Sequence, residues 1–528
     1  MSRLKKFTRS LLAGYLMLGA NIFYTLASVK LAWHYLGTAE FGLWALVSSI
    51  GGYLALIDLG MAGSVARILI DHKDERQNGA YGSVIKTGAL VGVVQGAIVV
   101  LVGIALSTLA GSLLHVKAEL RGEFVWLMIG QSVLLGLTFA ARIFGHLLQA
   151  HQRVDVFNYG ASVFFLVNLA TMWAGFAAGL GIYSFLLGQA VMTLGNIAVN
   201  VVGCLRLELL PRGREWGVAT RARFRELFAF GNDIFLYSLG TQLINASQSI
   251  LLTRLLGLET AAVWTVGTRV YQLLTQVIFR FFDYSAPALA EMMVRGEKAR
   301  LAERFKQIVI FSLGAAVAAG GVFALCNSAF IAVWLHDDKI GWPPVNDLLL
   351  AVWLVVCVAM HAHTGLVGTT KKLQFMRYVF FIEGATFVGL TIACYKHGGI
   401  TAMLVASIVC TSLLSLPYGL YRTREYFGLS WREVAGWHKS ALWLALWLVP
   451  VAILTWWLTR DRAAVMQLAI GGGAFGLWTA WAFLRHGLNP QLQNEIAGRV
   501  PLWAKSLLTQ TVFEIRNLKP HAPDTHGN

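Results

Sequence analysis

Six polar residues recur at steps of three or four: Thr265, Arg269, Gln272, Gln276, Arg280 and Asp283. At about 100° per residue such steps place them on one face of a helix. A guanidinium grips phosphate oxygens through its planar fork, and amides and hydroxyls meet hydroxyl groups. The chemistry implied is recognition of a polar, anionic ligand. Arg280 and Asp283 are three residues apart and within reach of each other on a helix, which leaves Arg269 as the freer cation. A second, uncharged stripe comprises Ser238, Thr241, Gln242, Asn245, Gln248 and Ser249, and a third Asn21, Tyr24, Thr25 and Ser28. Lys30, Lys86 and Arg142 add further cations inside apolar runs.

Several of these residues have a plainer reading. Lys30 and Arg254 near one end of their runs, and Arg67 and Lys86 near the other, suit long side chains that snorkel to headgroups. Asp58, in a Leu-Asp-Leu-Gly run, either caps and bends a helix near Gly60 or binds a coupling cation. Asp233 sits where a helix N-terminus favours an acid. Glu383 is either a proton-coupling carboxylate or a hydrogen-bonded structural one. Asp283 is open to the same two roles. His361 and His363 are two apart, so they point to different faces and cannot ligate one metal from a single helix. The five Cys have no CxxC or His partner at metal spacing, so neither a metal nor a cofactor is expected.

The elements that must position these residues follow from composition. Of the 528 residues 57% are hydrophobic and 13% charged, against about 25% charged in a soluble protein. Too few charges remain to coat a water-soluble globule. Apolar stretches near the bilayer-spanning length of about 20 residues fall at 11–33, 42–70, 82–113, 123–150, 158–179, 183–205, 230–253, 260–285, 306–334, 347–370, 377–396, 400–421, 440–458 and 464–485. The expected fold is an all-α integral membrane protein of about fourteen transmembrane helices.

With the N-terminus inside, 31 of the 43 Lys and Arg lie on the cytoplasmic side, seven opposite and five within spans. That asymmetry is the positive-inside pattern, and it places both termini in the cytoplasm of a multi-pass cell-membrane protein. The net charge of +16 is then explained by topology, and no nucleic-acid partner is expected. The outer segments are short, which leaves no domain there to house an active site and argues against an enzyme. A membrane glycan polymerase or ligase is disfavoured on the same ground.

The basic stretch 206–229 separates six spans from eight. The segments Tyr35-Leu36-Gly37-Thr38-Ala39-Glu40-Phe41-Gly42-Leu43-Trp44 and Leu255-Leu256-Gly257-Leu258-Glu259-Thr260-Ala261-Ala262-Val263-Trp264 each pair Leu-Gly with a nearby Glu and a later Trp. Two parallel repeats, related by an axis along the membrane normal, are a transporter arrangement. The expected layout is an N-lobe at 1–205, a basic cytoplasmic linker at 206–229, and a C-lobe at 230–425. An extra helix pair at 426–485 and a cytoplasmic tail at 486–528 complete it. Trp443, Trp447, Trp456 and Trp457 of that pair either anchor it at the interface or line a groove for a lipid tail.

The run YLGTAEFGLWALVSSIGGYLALIDLGMAGSVAR at 35–67 resembles the opening of Wzx-type polysaccharide flippases of the multidrug/oligosaccharidyl-lipid/polysaccharide exporter (MOP) superfamily. SQSILLTRLLGLETAAVWTVGTRVYQLL at 247–274, followed by Pro287 and Leu289-Ala290-Glu291-Met292, resembles the opening of that family's second lobe. The resemblance implies a transporter that moves a lipid-linked oligosaccharide, on a polyprenyl diphosphate, to the outer leaflet by alternating access. Its implied partners are the lipid-linked substrate, membrane lipids, and glycan polymerases or glycosyltransferases. By the same resemblance Arg269, Arg280, Lys86, Arg142 and Lys30 attract the diphosphate, and Gln272, Gln276, Asn245, Gln242 and Asn21 meet the sugars. A multidrug or cation exporter of the same superfamily, or a noncatalytic scaffold of an envelope-glycan complex, is the alternative.

Overall fold

An apolar chain satisfies its backbone hydrogen bonds in hydrocarbon only as helices or closed barrels. This chain takes the first solution throughout the computed structural model, which describes residues 3–73, 75, 78–114, 116–337, 340–370 and 375–499. Side chains are described from residue 12 onward, except at 112, 229–234 and 496–499. The expected roles of Arg3, Lys5, Lys6, Arg9, Arg76, Asp233, Lys339, Lys371, Lys372 and the tail beyond 499 lie outside the described residues.

The first half comprises α1 (Arg3–Tyr35), α2 (Thr38–Leu54), α3 (Met61–His72), α4 (Ala80–Leu113), α5 (Arg121–Ala150), α6 (Val154–Ala177) and α7 (Tyr183–Arg206). After the linker come α8 (Arg221–Asn245), α9 (Ser247–Leu256), α10 (Leu258–Gly267), α11 (Arg269–Val294), α12 (Lys298–Leu335), α13 (Val345–Thr369), α14 (Met376–Leu413) and α15 (Ser415–Phe427). The chain continues through α16 (Trp431–Gly436), α17 (Lys439–Thr459), α18 (Ala464–Leu468), α19 (Gly476–Ala482) and α20 (Pro490–Arg499).

Among the described residues ten helices are long and apolar enough to cross a membrane. Each of the fourteen expected spans overlies helix, and the difference in number has identifiable causes. The spans at 230–253 and 260–285 fall largely on α8 and α11, which at 25 and 26 residues are long enough to cross but carry the polar stripes and so are not apolar enough to be counted. The span at 464–485 alternates α turns with π-helical stretches at Ala469–Phe475 and Phe483–Gly487. The spans 377–396 and 400–421 run together through 376–427, with a non-helical backbone at Gly399. Outward-facing apolar residues such as Leu101, Leu446 and Trp457 stay exposed, as a hydrocarbon-facing surface requires.

The chain divides into two compact units. The first holds 1–273, 331–349 and 372–418, and the second 274–330, 350–371 and 419–528. The first unit therefore carries all of 1–205, the linker, and α8 to α10. Its core brings α3, α4, α5 and α7 together through Met61, Leu69, Val84, Ile143, Leu147 and Cys204. The linker is clamped onto α4 rather than left loose. Tyr81 donates to the Leu209 carbonyl at 2.9 Å, Ser83 to that of Val218 at 2.6 Å and Lys86 to that of Gly217 at 3.0 Å, with the Lys86 ammonium over the Trp216 ring.

The two matching segments of the internal repeat pack on each other in this unit, through α2 and α10. A Cβ at Gly42 would lie 2.0 Å from the Leu258 carbonyl oxygen, so only Gly lets the helices approach this closely. In the second unit Leu444, Leu448 and Ala482 knit α17 to α19. Gly471 and Gly472 pack against Cys326 of α12.

Candidate functional site

Polar side chains gather where the helices of the first unit break. After α2 the chain makes a 3-10 turn, Ala55–Asp58, and then places Leu59 (φ 51°) and Gly60 (φ 72°) in the left-handed region before α3 begins. The Asp58 carboxylate accepts from the Ala62 amide at 3.1 Å and so caps α3. It also pairs with Arg142 of α5, whose guanidinium bonds Gln95 of α4 as well. Gln95 in turn donates to the carbonyls of Ile57 and Asp58, each at 2.9 Å. The side chains of Arg142 and Asp58 are 11% and 22% exposed, so this is a largely buried ion pair that staples a broken helix. Arg142, expected among the ligand-binding cations, has a structural partner here, and Asp58 performs the capping role of its two expected ones. Lys86 is likewise engaged, by the linker, and Lys30 is exposed on α1.

Arg269 differs from these cations. It opens α11 directly after Thr268. Its Nε is buried with no hydrogen-bond partner among the described residues. Its one side-chain hydrogen bond, Nη1 to the Gln272 amide oxygen, is 3.5 Å long, at the weak limit of such contacts. Tyr24 of α1 lies within electrostatic reach of the guanidinium and accepts from Asn168 of α6 at 3.1 Å. A loosely tied guanidinium whose Nε is buried and unpartnered among the described residues, beside a phenol, is ready to take an anionic group. Nearby in the chain, Tyr53 of α2 hydrogen-bonds Ser247 at the start of α9. Gln248 is buried, and its amide nitrogen has no partner among the described residues. Gln242 is half-buried beside Gly52 of α2, Asn21 is half-buried on α1, and Asn245 is exposed at the end of α8.

The stripe continues along α11 into the second unit, with Gln276, Arg280 and Asp283. The expected Arg280–Asp283 pair does not form. His361 of α13 meets Asp283 at 2.9 Å, held there by a face-to-face stack on Phe279 at 3.8 Å, while Arg280 turns to the Tyr284 hydroxyl at 3.2 Å. Arg280 thus pairs with no carboxylate among the described residues. His363, two positions on, faces away and bonds Thr423 at 2.8 Å. Glu383 on α14 is wholly buried and accepts from Thr411 at 2.8 Å. Sequence patterning missed the pairing partners Tyr24–Asn168, Tyr53–Ser247 and His361–Asp283, because each joins helices far apart in the chain.

A family model described as polysaccharide biosynthesis protein matches residues 13–293. The chain belongs to that family. A comparison with curated proteins returns no match. Among solved structures the family member is similar to an inward-facing multidrug resistance MATE transporter of the MOP superfamily, at 10% identity and a TM-score of 0.65, covering 79% of this chain and 99% of that one. It is also similar to the lipid II flippase MurJ in an inward closed conformation, at 11% identity and a TM-score of 0.63, covering 90% and 98%. A third likeness is to a MOP superfamily transporter from Pyrococcus furiosus described by the reversed polarity of its binding pocket, at 12% identity and a TM-score of 0.58, covering 80% and 96%. The family member thus has the fold of the MOP transporters.

One further contact bears on how such a protein would work. In the polysaccharide-biosynthesis chain Lys117, between α4 and α5, meets Glu259 in the first turn of α10 at 2.6 Å. The Lys117 ammonium holds the Glu259 carboxyl below its usual range, and Glu259 raises Lys117 in return. A lowered carboxyl contributes in full above its ordinary value and is lost as pH falls through the lowered one, so the pair is intact at neutral pH. Both side chains are about half exposed, so solvent screening keeps the bridge weak. Glu259→Lys is therefore expected to raise labelling of a cysteine at Thr265 by a water-soluble thiol reagent, on purified protein, about two- to fivefold, measured with Cys394 replaced by Ser. Adding Lys117→Glu should reverse the gain. Identical labelling in all three proteins would show that the pair does not restrain this end of α10.

Proposed function

We propose that this protein carries a lipid-linked oligosaccharide, on a polyprenyl diphosphate, from the inner to the outer leaflet of the cell membrane by alternating access, with both termini in the cytoplasm. Family membership and the MOP fold support a transporter of polysaccharide precursors. The single observation that carries the substrate assignment is Arg269, whose Nε is buried with no partner among the described residues and whose Nη1 is barely tied. Arg280, without a carboxylate partner, extends the positive face along the same helix. A diphosphate entering such a site exchanges its water for charge-assisted hydrogen bonds, which are about twice as strong as neutral ones. Tyr24, Gln272 and Gln248 supply groups for sugar hydroxyls.

The lobes expected at 1–205 and 230–425 would rock about the bound head while the polyprenyl chain stays in lipid. The membrane potential supplies about 2.3 kcal/mol per charge per 100 mV, and in this reading Glu383 would be either a coupling carboxylate or, bonded to Thr411, a structural one. A cation exporter on this fold would need an acidic or apolar lining, and Arg269 opposes that reading.

Binding distinguishes the two. The purified protein is expected to bind a polyprenyl-diphosphate-linked sugar in preference to a lipophilic cation such as ethidium, with affinity falling as salt rises. Tight ethidium binding with no response to the anionic lipid would transfer the assignment to a drug exporter.

A further inference from the structure

The second unit contains a further pocket, which shares one wall residue, Tyr284, with the surroundings of Arg280. The end of α11, the start of α12 and α20 enclose about 550 Å3, within the range of about 300–1,000 Å3 typical of small-molecule sites. Its walls are apolar, with Phe281, Leu289, Met292, Ile308, Phe311 and Leu492 lining them. One edge is polar. There Arg304 donates Nη1 to Gln307 at 2.9 Å and to Glu495 of α20 at 3.3 Å. Both bonds fall on one nitrogen, the second as an ion pair with Glu495, and among the described residues Nη2 and Nε have no partner, on a side chain that is 46% exposed.

α20 is a fixed wall. Gln493 is buried and donates to the carbonyls of Leu484 at 3.1 Å and Arg485 at 2.8 Å, and the Asn489 side chain caps the helix through the Leu492 amide at 2.9 Å. The connector that joins α11 to α12 carries Arg295, Lys298 and Arg300. Arg295 pairs with Glu291 and Arg300 with Glu297 at 2.9 Å, and by the proposed topology the connector lies on the cytoplasmic side. An apolar slot with a half-free guanidinium at its rim matches an amphiphile made of a hydrocarbon chain and an anionic head. Basic pockets between helices on the cytoplasmic side bind anionic lipid headgroups in this way.

We propose that the pocket seats one anionic phospholipid of the inner leaflet. Its chain lies between α11 and α12, and its phosphate sits on the Nη2 and Nε edge of Arg304. The bound lipid would tie α20 to α11, the helix that carries Arg269 and Arg280. The inner-leaflet placement rests on the topology proposed above. Lipid retention is read on purified protein, so it stands or falls independently of transport.

The test is native mass spectrometry of the full chain released from nanodiscs of equal phosphatidylglycerol and phosphatidylcholine. The wild type is expected to retain one phosphatidylglycerol. Arg304→Gln should lower that retention about fivefold, from about 1 kcal/mol per basic residue, with phosphatidylcholine unchanged. Ala288→Trp, which fills the pocket, should abolish it. Since a Trp at 288 could disturb folding, its thermal midpoint is compared with that of Arg304→Gln, a change at an exposed side chain. Equal retention of both lipids by the wild type and Arg304→Gln would overturn the proposal. Displacement of phosphatidylglycerol by equimolar polyprenyl phosphate would overturn it too, and would give the pocket to the carrier's tail.

Discussion

Arg269→Ala is expected to lower export of lipid-linked glycan about ten- to a hundredfold, the loss of about 1.5–3 kcal/mol from a hydrogen bond to a charged group. Export would be measured by complementation of a flippase-deficient cell, with a blot confirming insertion. The effect should be large because nothing beside Arg269 compensates. Gln272 lies at 3.5 Å, and Nε has no partner among the described residues. Removing the side chain therefore strands no protein group, and stability should change little. Arg269→Lys is expected to recover part of the export, since it keeps the charge and loses the planar fork. Full export by Arg269→Ala would show that the guanidinium takes no part in binding.

The Asp58–Arg142 pair should behave in the opposite way, with a large effect on stability. Breaking a buried ion pair from one side costs about 3–5 kcal/mol, because the remaining charge stays buried alone. Asp58→Ala and Arg142→Met are each expected to lower the thermal midpoint in detergent strongly and to reduce the amount inserted. Replacing both, as Asp58→Leu with Arg142→Met, should recover most of the loss, since apolar replacements of similar volume are close to neutral. The double variant should fall short by about 1 kcal/mol, the worth of the helix cap that Asp58 provides to α3. Single variants that melt with the wild type would show that the pair does not hold the break between α2 and α3. If the double variant is stable yet exports nothing, Asp58 has a transport role beyond the cap.

The contrast between these two arginines shows what the sequence made legible. Hydrophobic length is a local property, so the helical runs from 11 to 485 could be read along the chain. At Asp58 the sequence left a cap or bend near Gly60 and a coupling cation both open, and the structure shows the carboxylate on the Ala62 amide. The matching segments at 35–44 and 255–264 stood out as a repeat, and in the structure they form the contact of Gly42 with Leu258.

What could not be read was which intramembrane cation already had a partner. Arg142 looked as available as Arg269, yet its acid lies 84 residues away in the chain. Lys86 is held by the linker, 131 residues on. The rule that residues three apart can pair suggested Arg280 with Asp283, but the stack of Phe279 on His361 brings an imidazole from another helix to that carboxylate. Partner choice is tertiary, and helical spacing constrains only one side of it.

The number of crossing helices was limited by a different cause. The backbone at Ala246 and Thr268 keeps helical angles and its i→i−4 hydrogen bonds, so what sets α8 and α11 apart from the other long helices is their polar stripes. The non-helical Gly399 lies inside a run that continues from 376 to 427.

The most direct test of the central claim is the sidedness of lipid-linked oligosaccharide in cells depleted of this protein, read by oxidation of its sugars with an impermeant reagent added outside. The account predicts that the pool grows and is protected, because it is trapped on the inner leaflet, and that restoring the wild type, but not Arg269→Ala, returns it to the accessible face. A pool that stays the same size and remains accessible from outside would contradict the account.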